Sequence, residues 1–430
     1  MKLMDSRLIG GILLIIGTCI GGGMLALPIS NGPVGFFYST GLLILCWFIM
    51  VISALAILEV NLWFLPGSNL ISMAKATLGT PGKIAAWIVY LFLLYALLCA
   101  YIAGGSDIFQ SLLHQISLFI PTTLSTLLFV LIFGSIVYSG IRTVDYANRF
   151  LMFGKFGICA LLLLLILPRI HLTNLFAGDW QYASSTLMIL ITSFGFATII
   201  PSLRSYFRDD IKKLRYAILI GSLVPLLIYI AWDAAIMGVI PIEGPQGLLA
   251  LLHSQHSTSH LTVSLMSVTQ NQWITDFFRF FTSICMLTAF LGVSLGLMDF
   301  LSDGLNIPKK GRSGLLIALI AYLPPLILVT CFPGIFIAAL NYAGLFAVIL
   351  LILIPSLMLW RGRCIKKLSQ KIEQDSSIKF WRNEYPELQN KDLNTSSFDK
   401  NVFYRLKGGA STIILLVLVS VILIYLAIPD

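Results

Sequence analysis

Continuous apolar runs of about 20 residues recur along the whole sequence, and they restrict the possible folds more than any other feature. Each run is long enough to cross the hydrocarbon layer of a bilayer as a helix. Inside lipid, every backbone N–H and C=O group must be satisfied within the protein, and only helices and closed barrels achieve this. The runs are continuous and do not alternate, which excludes a barrel. The sequence therefore predicts an all-α polytopic membrane protein.

The composition agrees with burial in a membrane. Hydrophobic residues make up 58% of the chain and charged residues only 11%, whereas a soluble domain carries roughly a quarter charged residues. The missing charge indicates that most side chains face something other than water. The first apolar run ends at residues 24–30 without a small-residue cleavage site, and further runs follow, so we expect no cleavable signal peptide.

The apolar runs divide into eleven predicted transmembrane helices. Their bounds are residues 8–30, 34–60, 84–105, 123–141, 147–167, 183–203, 215–239, 275–300, 314–332, 334–359 and 409–428. The one sizeable polar segment is the loop 361–408, between the last two spans, which is rich in Lys and Arg. We interpret this loop as a solvated cytoplasmic linker, with a lipid-headgroup contact or a regulatory contact as the alternative.

Lys and Arg residues are distributed unequally between the two sides of the predicted bundle. All but three of the 28 lie in connections on the side that carries the N-terminus. Of the three, Arg169 lies on the other side, and Lys155 and Arg279 lie inside spans. Because cytoplasmic connections are enriched in Lys and Arg, we expect a cytoplasmic N-terminus and a periplasmic C-terminus. The same bias accounts for the net charge of +9, so nucleic acid is not predicted as a partner.

Two spans contain sequences that are poor for a helix in the middle of a membrane. In the first span, three glycines occupy positions 21–23, with Gly17 one turn before them and Pro28 after them. The sixth span has the similar patch Thr192-Ser-Phe-Gly-Phe-Ala-Thr-Ile-Ile-Pro201. Each mid-helix glycine costs roughly 1 kcal/mol relative to alanine, and proline removes a hydrogen bond. Taken singly, either patch is equally well explained by close helix packing through small residues.

Together, the two patches favour a transporter. They lie five spans apart, so one span begins on the cytoplasmic side and the other on the opposite side. Matching breaks in oppositely oriented halves are typical of inverted-repeat transporters, whose substrate site lies near the bilayer midplane. The amide groups at the start of a half-helix can bind a substrate carboxylate there, and unpaired carbonyl groups can accept hydrogen bonds from its ammonium group.

Six short motifs are spread over the predicted spans: Gly17-Thr-Cys-Ile-Gly-Gly-Gly-Met-Leu-Ala-Leu-Pro28, Leu58-Glu-Val60, Phe290-Leu-Gly-Val-Ser-Leu-Gly-Leu-Met-Asp-Phe300, Leu340-Asn-Tyr-Ala-Gly344, Ile354-Pro-Ser-Leu357 and Tyr404-Arg-Leu-Lys-Gly-Gly409. Through these motifs the chain resembles the hydroxy and aromatic amino acid permease family, within the amino acid–polyamine–cation superfamily. The resemblance extends from about residue 8 to residue 428 and is strongest to the tyrosine and tryptophan permeases.

This resemblance implies a LeuT-like fold, in which two groups of five helices form inverted repeats and one extra helix follows. Repeat one would then span 8–167 and repeat two 183–359, followed by the cytoplasmic loop 361–408 and the extra helix 409–428. The resemblance also implies proton-driven uptake of tyrosine, tryptophan or phenylalanine, with the proton gradient as energy source and no cofactor. The loop 361–408 looks longer than is usual in this family, which leaves its role open.

The predicted substrate site is built around the two glycine-containing patches. The first would bind the carboxylate, and the second would offer carbonyl groups and an aromatic wall. Candidates on other spans could close over the substrate. For all of them, ordinary helix packing or a core position is the alternative. The candidate residues are Thr18, Gly21, Gly22, Gly23, Tyr95, Ser193, Phe194, Gly195, Phe196, Phe290 and Ser294.

Lys155 is the basic residue closest to mid-depth, on the fifth span. An isolated charge at this depth is costly, so a partner or a function is expected. The resemblance implies a role in proton coupling, because in related transporters of the superfamily a lysine on this helix takes the place of a sodium ion. The alternative is that Lys155 extends its ammonium group to the cytoplasmic surface, near Arg149.

Four carboxylates lie near the ends of spans, where a solvated or helix-capping role is the main alternative to proton relay. Glu59 is the strongest candidate for proton coupling among them, because it belongs to one of the family motifs; the others are Asp107, Asp233 and Asp299. Asp276 and Arg279 are three residues apart and are expected to pair on one helix face.

These observations predict a proton-coupled symporter that imports an aromatic amino acid across a bacterial inner membrane, with the substrate, protons and membrane lipid as its partners. A permease for another neutral amino acid and an amino-acid sensor that does not transport are the alternatives. An enzyme is not predicted, because the spans contain no Ser/His/Asp, HExxH or paired-carboxylate arrangement. No metal site is predicted either, since the histidines 253, 256 and 260 have no Cys or acid at matching spacing.

Overall fold

The structure, a computed structural model, describes residues 6–252, 254–309, 311–372, 406 and 409–427. Within these residues it consists of helices and connecting loops, without strands. We number the α-helices in chain order: α1 Ser6–Cys19, α2 Gly22–Asn31, α3 Phe36–Asn61, α4 Leu70–Gln115, α5 Thr122–Tyr138, α6 Ile141–Ile166, α7 Leu172–Leu175, α8 Ala183–Ser193, α9 Ile200–Tyr206, α10 Ile211–Val239, α11 Leu248–Leu252, α12 Ser257–Thr269, α13 Gln272–Leu305, α14 Gly311–Cys331, α15 Phe336–Ala347, α16 Ile354–Ile372 and α17 Gly409–Ala427.

Most of these helices are long and apolar enough to cross a membrane. The described residues contain nine such helical segments, and α1 and α2 together form a tenth that is bent by 52°. Helix α5 is also apolar but has only 17 residues. It corresponds to the predicted span 123–141. The prediction of an all-α multi-pass membrane protein is therefore confirmed.

Helix α4 starts earlier than the sequence predicted. The predicted span 84–105 lies inside a helix of 46 residues that begins at Leu70. Asn69 caps its start by accepting a hydrogen bond from the Ser72 N–H over 2.8 Å. The helix bends at Gly79, which has a φ of 78°. Hydropathy does not predict the first turns of α4, because a lysine, this glycine and a proline interrupt the apolar run before residue 84.

The end of the bundle where α1 begins and α16 ends, here called the basic face, is held by a buried ion pair. Glu59 on α3 is 3% exposed. The Arg363 guanidinium on α16 donates to both carboxylate oxygens of Glu59, over 2.9 and 2.7 Å. Leu406 N–H donates to the same carboxylate, and Arg363 also donates to the carbonyl of Gly409. The pair thus connects α3, α16 and the start of α17 through a bidentate contact.

At the opposite end of the bundle, Asp107 of α4 caps helix α12. Its carboxylate accepts hydrogen bonds from the backbone N–H of Ser259 over 2.8 Å and from the Thr258 hydroxyl over 2.5 Å. His256 lies 2.9 Å from the same carboxylate, and this hydrogen bond raises the pKa of His256 above its ordinary value. The helix-capping interpretation of Asp107 is confirmed, although the helix it caps was not predicted from the sequence.

Two charged pairs lie at the ends of α13. Asp276 and Arg279 approach to 3.6 Å, as their spacing predicts. Asp299 pairs with Lys309 across the next connection. Both pairs leave their carboxylates partly exposed, so they are ordinary surface ion pairs.

Helices α15 and α8 approach each other at backbone distance. A Cβ atom built on Gly344 of α15 would lie 2.6 Å from the carbonyl carbon of Met188 on α8. No side-chain rearrangement can relieve such a contact, because the opposing atoms belong to the backbone. The motif Leu340–Gly344 therefore has a packing role at its last residue.

We expect Gly344→Ala to lower the free energy of unfolding by about 1–3 kcal/mol, the usual cost of overpacking. The measurement is thermal or denaturant unfolding of the purified protein in detergent. Gly41→Ala on α3 is the matched control, because a Cβ at Gly41 has nothing within 4 Å. Equal effects of the two substitutions would contradict the close approach of α15 and α8.

Candidate functional site

The first helix break lies at Ile20 and Gly21, between α1 and α2. Gly21 has φ −150° and ψ −148°, which is extended backbone, and α2 starts directly after it. The last carbonyl groups of α1 and the first amide groups of α2 therefore have no partners within their own helices. The glycine patch breaks the helix where the sequence predicted.

Two side chains from other helices satisfy the last carbonyl groups of α1. The Tyr229 hydroxyl on α10 lies 2.6 Å from the carbonyl oxygen of Cys19. The Lys155 ammonium group on α6 donates to the carbonyl oxygen of Ile20 over 2.5 Å. Tyr229 is 0% exposed and Lys155 is 1% exposed. Buried hydrogen bonds therefore take the place of the missing helical ones.

The second break separates α8 from α9. Helix α8 ends at Ser193, a 3-10 turn covers Gly195–Ile199, and α9 resumes with Pro201 in its first turn. Proline suits this position because it has no N–H to leave unpaired. The carbonyl oxygen of Ser193, at the end of α8, lies 3.0 Å from the Tyr229 hydroxyl.

Tyr229 thus connects the two breaks. Its hydroxyl is within hydrogen-bond distance of the carbonyl oxygens of both Cys19 and Ser193. A hydroxyl group donates one hydrogen, so it can satisfy only one of these carbonyl groups at a time. One of these two carbonyl oxygens can therefore accept a further hydrogen bond where the two broken helices meet. The Phe194 ring packs edge-on against Tyr229, with ring centroids 5.4 Å apart.

The glycine patch contacts the second break directly. A Cβ on Gly23 would lie 3.1 Å from the Ser193 Oγ atom. Ser193, Phe194 and Phe196 are all buried. Most of the residues predicted around the two patches therefore lie together.

Tyr101 of α4 and Met286 of α13 line the other side of the first break. A Cβ on Gly22 would lie 2.6 Å from the Tyr101 ring and 3.2 Å from the Met286 sulfur. A Cβ on Gly21 would lie 3.6 Å from Ala289. Only glycine fits at position 22, because an aromatic ring and a thioether pack directly against its backbone.

Two predicted site residues lie away from the breaks. Thr18 is exposed, and its hydroxyl donates to the carbonyl of Ile15 within α1. The Tyr95 hydroxyl donates to the carbonyl of Ile320 on α14 over 2.8 Å. In a regular helix this carbonyl would accept a hydrogen bond from the N–H group four residues later. Here that residue is Pro324, which has no N–H. The contacts of Tyr95 are thus structural, and its role in substrate binding stays a prediction.

The two candidates on α13 belong to an aromatic cluster beside the site. The Phe290 ring lies 5.1 Å from Phe129 and 6.0 Å from Tyr322, measured between centroids. Ser294 is buried near the Tyr322 hydroxyl, but neither hydroxyl makes a hydrogen bond of good geometry with the described residues. Phe290 follows Ala289, which touches Gly21, so this cluster supports the wall of the first break from behind.

Lys155 does not extend to the basic face, which rules out the surface alternative. Its ammonium group is buried and donates to the carbonyl of Ile20. No carboxylate among the described residues pairs with it. A buried ammonium group on the last carbonyl of a broken helix is an arrangement in which protonation and backbone conformation depend on each other.

The sequence interpretation missed the position of Asp233. The sequence favours a solvated or helix-capping role for Asp233, with proton relay as the alternative, but the residue is 0% exposed. Its carboxyl accepts a hydrogen bond from the Asn31 amide over 2.6 Å. Tyr229 lies four residues before Asp233, one turn away on the same face of α10. An acid and a tyrosine at this spacing in an otherwise apolar run were the signal that could have identified both.

Comparison with known proteins agrees with this architecture. Residues 4–372 match the tryptophan/tyrosine permease family. The tyrosine-specific transport system 1 of Haemophilus influenzae is 32% identical over 83% of this chain and 89% of its own length. The tryptophan-specific transport protein of Pseudomonas aeruginosa is 32% identical over 82% of this chain and 85% of its own.

The name of a third relative gives a different substrate. The glutamine transporter 2 of Aliivibrio fischeri is 28% identical over 87% of this chain and 94% of its own length. All three are transport proteins, and none is named as an enzyme. Together with the helical membrane architecture, the match over most of the chain shows that this protein is a multi-pass amino-acid transport protein that belongs to the tryptophan/tyrosine permease family.

Proposed function

We propose that this chain is a proton-coupled symporter that imports tyrosine, tryptophan or phenylalanine across a bacterial inner membrane. The observation that carries the proposal is the meeting of two broken helices at Tyr229, with Lys155 on the adjacent carbonyl. Such a junction offers amide and carbonyl groups to a zwitterion at mid-depth. The names of the tyrosine- and tryptophan-specific relatives support an aromatic substrate.

For the fold, we propose eleven spans in a LeuT-like arrangement, with α5 as the fourth. The inverted repeats would cover 8–167 and 183–359, with the helix at 409–428 added. Support comes from the positions of the two breaks, which fall in the first span of each repeat. Adjacent breaks in oppositely oriented spans are what an inverted repeat requires.

In the proposed complex, the substrate carboxylate binds the amide groups of Gly22 and Gly23 at the start of α2, where the helix dipole favours an anion. The ammonium group donates to whichever of the two carbonyl groups, Cys19 or Ser193, is not bonded to Tyr229. The aromatic ring then packs beside Tyr101 and Met286. Each of these groups already lies at the junction of the breaks.

This proposal predicts the substrate profile. In proteoliposomes with an inward proton gradient and no sodium, the protein should accumulate labelled tyrosine. Excess tryptophan and phenylalanine should compete, because their rings fit the same wall, whereas glutamine and serine should not. Equal competition by glutamine would instead favour a permease for other neutral amino acids. Binding without accumulation would favour a sensor.

The same assay locates the site. Gly22→Leu should reduce uptake to background, because its side chain would overlap the Tyr101 ring. Gly292→Leu on α13 is the matched control, since a Cβ at Gly292 has nothing within 4 Å. If purified Gly22→Leu protein binds tyrosine with wild-type affinity, the substrate lies elsewhere.

For orientation, we propose a cytoplasmic N-terminus and basic face and a periplasmic C-terminus, as the distribution of Lys and Arg indicates. An alkaline phosphatase fusion after Asp430 should therefore be active, and a fusion within the loop 361–408 should be inactive. A green fluorescent protein fusion at the same two sites provides the complementary readout. The reverse pattern at both sites would overturn the orientation.

For coupling, we propose that Lys155 carries a transported proton. Its protonated form holds the broken end of α1 through the carbonyl of Ile20. Loss of the proton removes the positive charge and weakens this bond. The step breaks one N–H bond of the ammonium group and releases the proton to water on the cytoplasmic side, after the substrate has left. Glu59 is the second candidate, but its contacts with Arg363 and Leu406 support a structural role.

Lys155→Met removes the charge and keeps the side-chain length, so it should abolish accumulation driven by a pH gradient. Lys155→Arg should fail as well, because a guanidinium group does not release its proton in this pH range. The measurement is uptake in proteoliposomes with an imposed pH gradient and no sodium. Lys83→Met, at an exposed position of α4, is the control and should retain accumulation. Accumulation by Lys155→Met would exclude Lys155 as the coupling residue and direct attention to Glu59.

A further inference from the structure

Asp233 is a fully buried carboxyl group that has no charged partner among the residues the structure describes. It lies on α10, six residues before the end of that helix, which places it about 9 Å inside the end opposite the basic face. One carboxyl oxygen accepts the hydrogen bond from the Asn31 amide. The other oxygen has no hydrogen-bond partner among the described residues.

The contacts of Asp233 continue through a chain of hydrogen bonds into both broken spans. Asn31 lies at the end of α2, and its side-chain oxygen accepts a hydrogen bond from the Thr186 hydroxyl of α8. The Ser30 hydroxyl donates to the same Thr186 oxygen over 2.9 Å. One network therefore joins α2, α8 and α10. Helices α2 and α8 are the halves of the two broken spans that lie on the side opposite the basic face.

No cation balances the Asp233 carboxyl. Its interactions with the described residues are limited to the Asn31 amide. On the elements packed against α10, the other buried ionisable groups are Cys19, Cys46, Glu59, Lys155, Cys159 and Arg204, and Arg169 is partly buried; none of them contacts Asp233. Glu59 is paired with Arg363, and Arg204 is paired with Asp209. On its own helix, the Tyr229 hydroxyl is directed to the two carbonyl groups of the breaks.

The chemistry of this environment suits a neutral acid. A carboxylate has about four acceptor positions, and here it would receive a single N–H donor without contact with water. Burying an ion with so few partners costs several kcal/mol, whereas a protonated carboxyl group keeps the bond from Asn31 and carries no charge. The Asp233 carboxyl is connected to both broken spans through Asn31 and Thr186, so a change in its charge acts on both of them.

We propose that the carboxyl group of Asp233 is a second proton-binding site, which closes the half of the protein opposite the basic face when it is occupied. This inference rests on the proposed transport function. Binding forms an O–H bond between a carboxylate oxygen and a proton from water on that side. Release passes the proton to water on the side of the basic face, so that one proton crosses the protein per cycle, and leaves a charge that the packed network does not stabilise. The network then opens to admit water, and α2 and α8 separate from α10.

The first test is infrared spectroscopy of the purified wild-type protein, recorded from neutral to alkaline pH. We expect the carbonyl stretch of a protonated carboxylic acid at neutral pH, where exposed carboxylates are ionised. The band should disappear as the pH rises. It should be absent from Asp233→Asn and retained in Asp276→Asn, a control at a partly exposed carboxylate. Absence of the band from wild type at neutral pH, or its persistence in Asp233→Asn, would overturn the proposal.

The second test counts protons. Proton uptake per transported tyrosine is measured in weakly buffered proteoliposomes with a pH indicator. The ratio should be lower by one proton in Asp233→Asn than in wild type and in Asp276→Asn. An unchanged ratio in Asp233→Asn would contradict the proposal. The infrared test requires neither substrate nor transport. Failure of the wild-type protein to transport aromatic amino acids would therefore refute the proposed function only. The carboxylic-acid band would still decide whether Asp233 binds a proton.

Discussion

Everything at the centre of this protein depends on the need to satisfy backbone groups that two interrupted helices leave unpaired inside a membrane. Continuous helices meet this need within one segment. Here Lys155 donates to the carbonyl group of Ile20, and the Tyr229 hydroxyl donates to the carbonyl group of either Cys19 or Ser193. The breaks therefore depend on α6 and α10, which pack against them and bring these two donors.

This dependence makes the junction suitable for binding. Three carbonyl groups share a tyrosine hydroxyl and an ammonium group, and the amide groups of α2 face the same place. In the function we propose, a zwitterion competes for these donors and acceptors, and a proton on Lys155 or Asp233 changes how firmly the surrounding helices are held. Charged pairs at the ends of the bundle have a different effect. Glu59 with Arg363, and Asp107 with the start of α12, hold elements together at the two faces.

The sequence and the structure agree where a residue's own chemistry limits its position. Three consecutive glycines cannot continue a stable helix, so the break at Gly21 was predictable from the chain alone. A lysine in an apolar span requires a partner, and Lys155 reaches the carbonyl of Ile20. Tyr95 and Thr18 showed the limit of such reasoning, because depth along a span does not determine the face of the helix on which a side chain lies. Tyr229 and Asp233 were missed for the same reason.

The sequence by itself determined that the chain crosses a membrane as helices, which two spans are interrupted and which end carries the positive charge. These properties are local: they follow from hydropathy, from glycine and proline, and from the count of Lys and Arg in each connection. Only the tertiary structure decided which helix donates to which broken end and that Asp233 is buried beside Asn31. Those contacts join residues between 36 and 210 positions apart, and their formation depends on how the helices pack around one another.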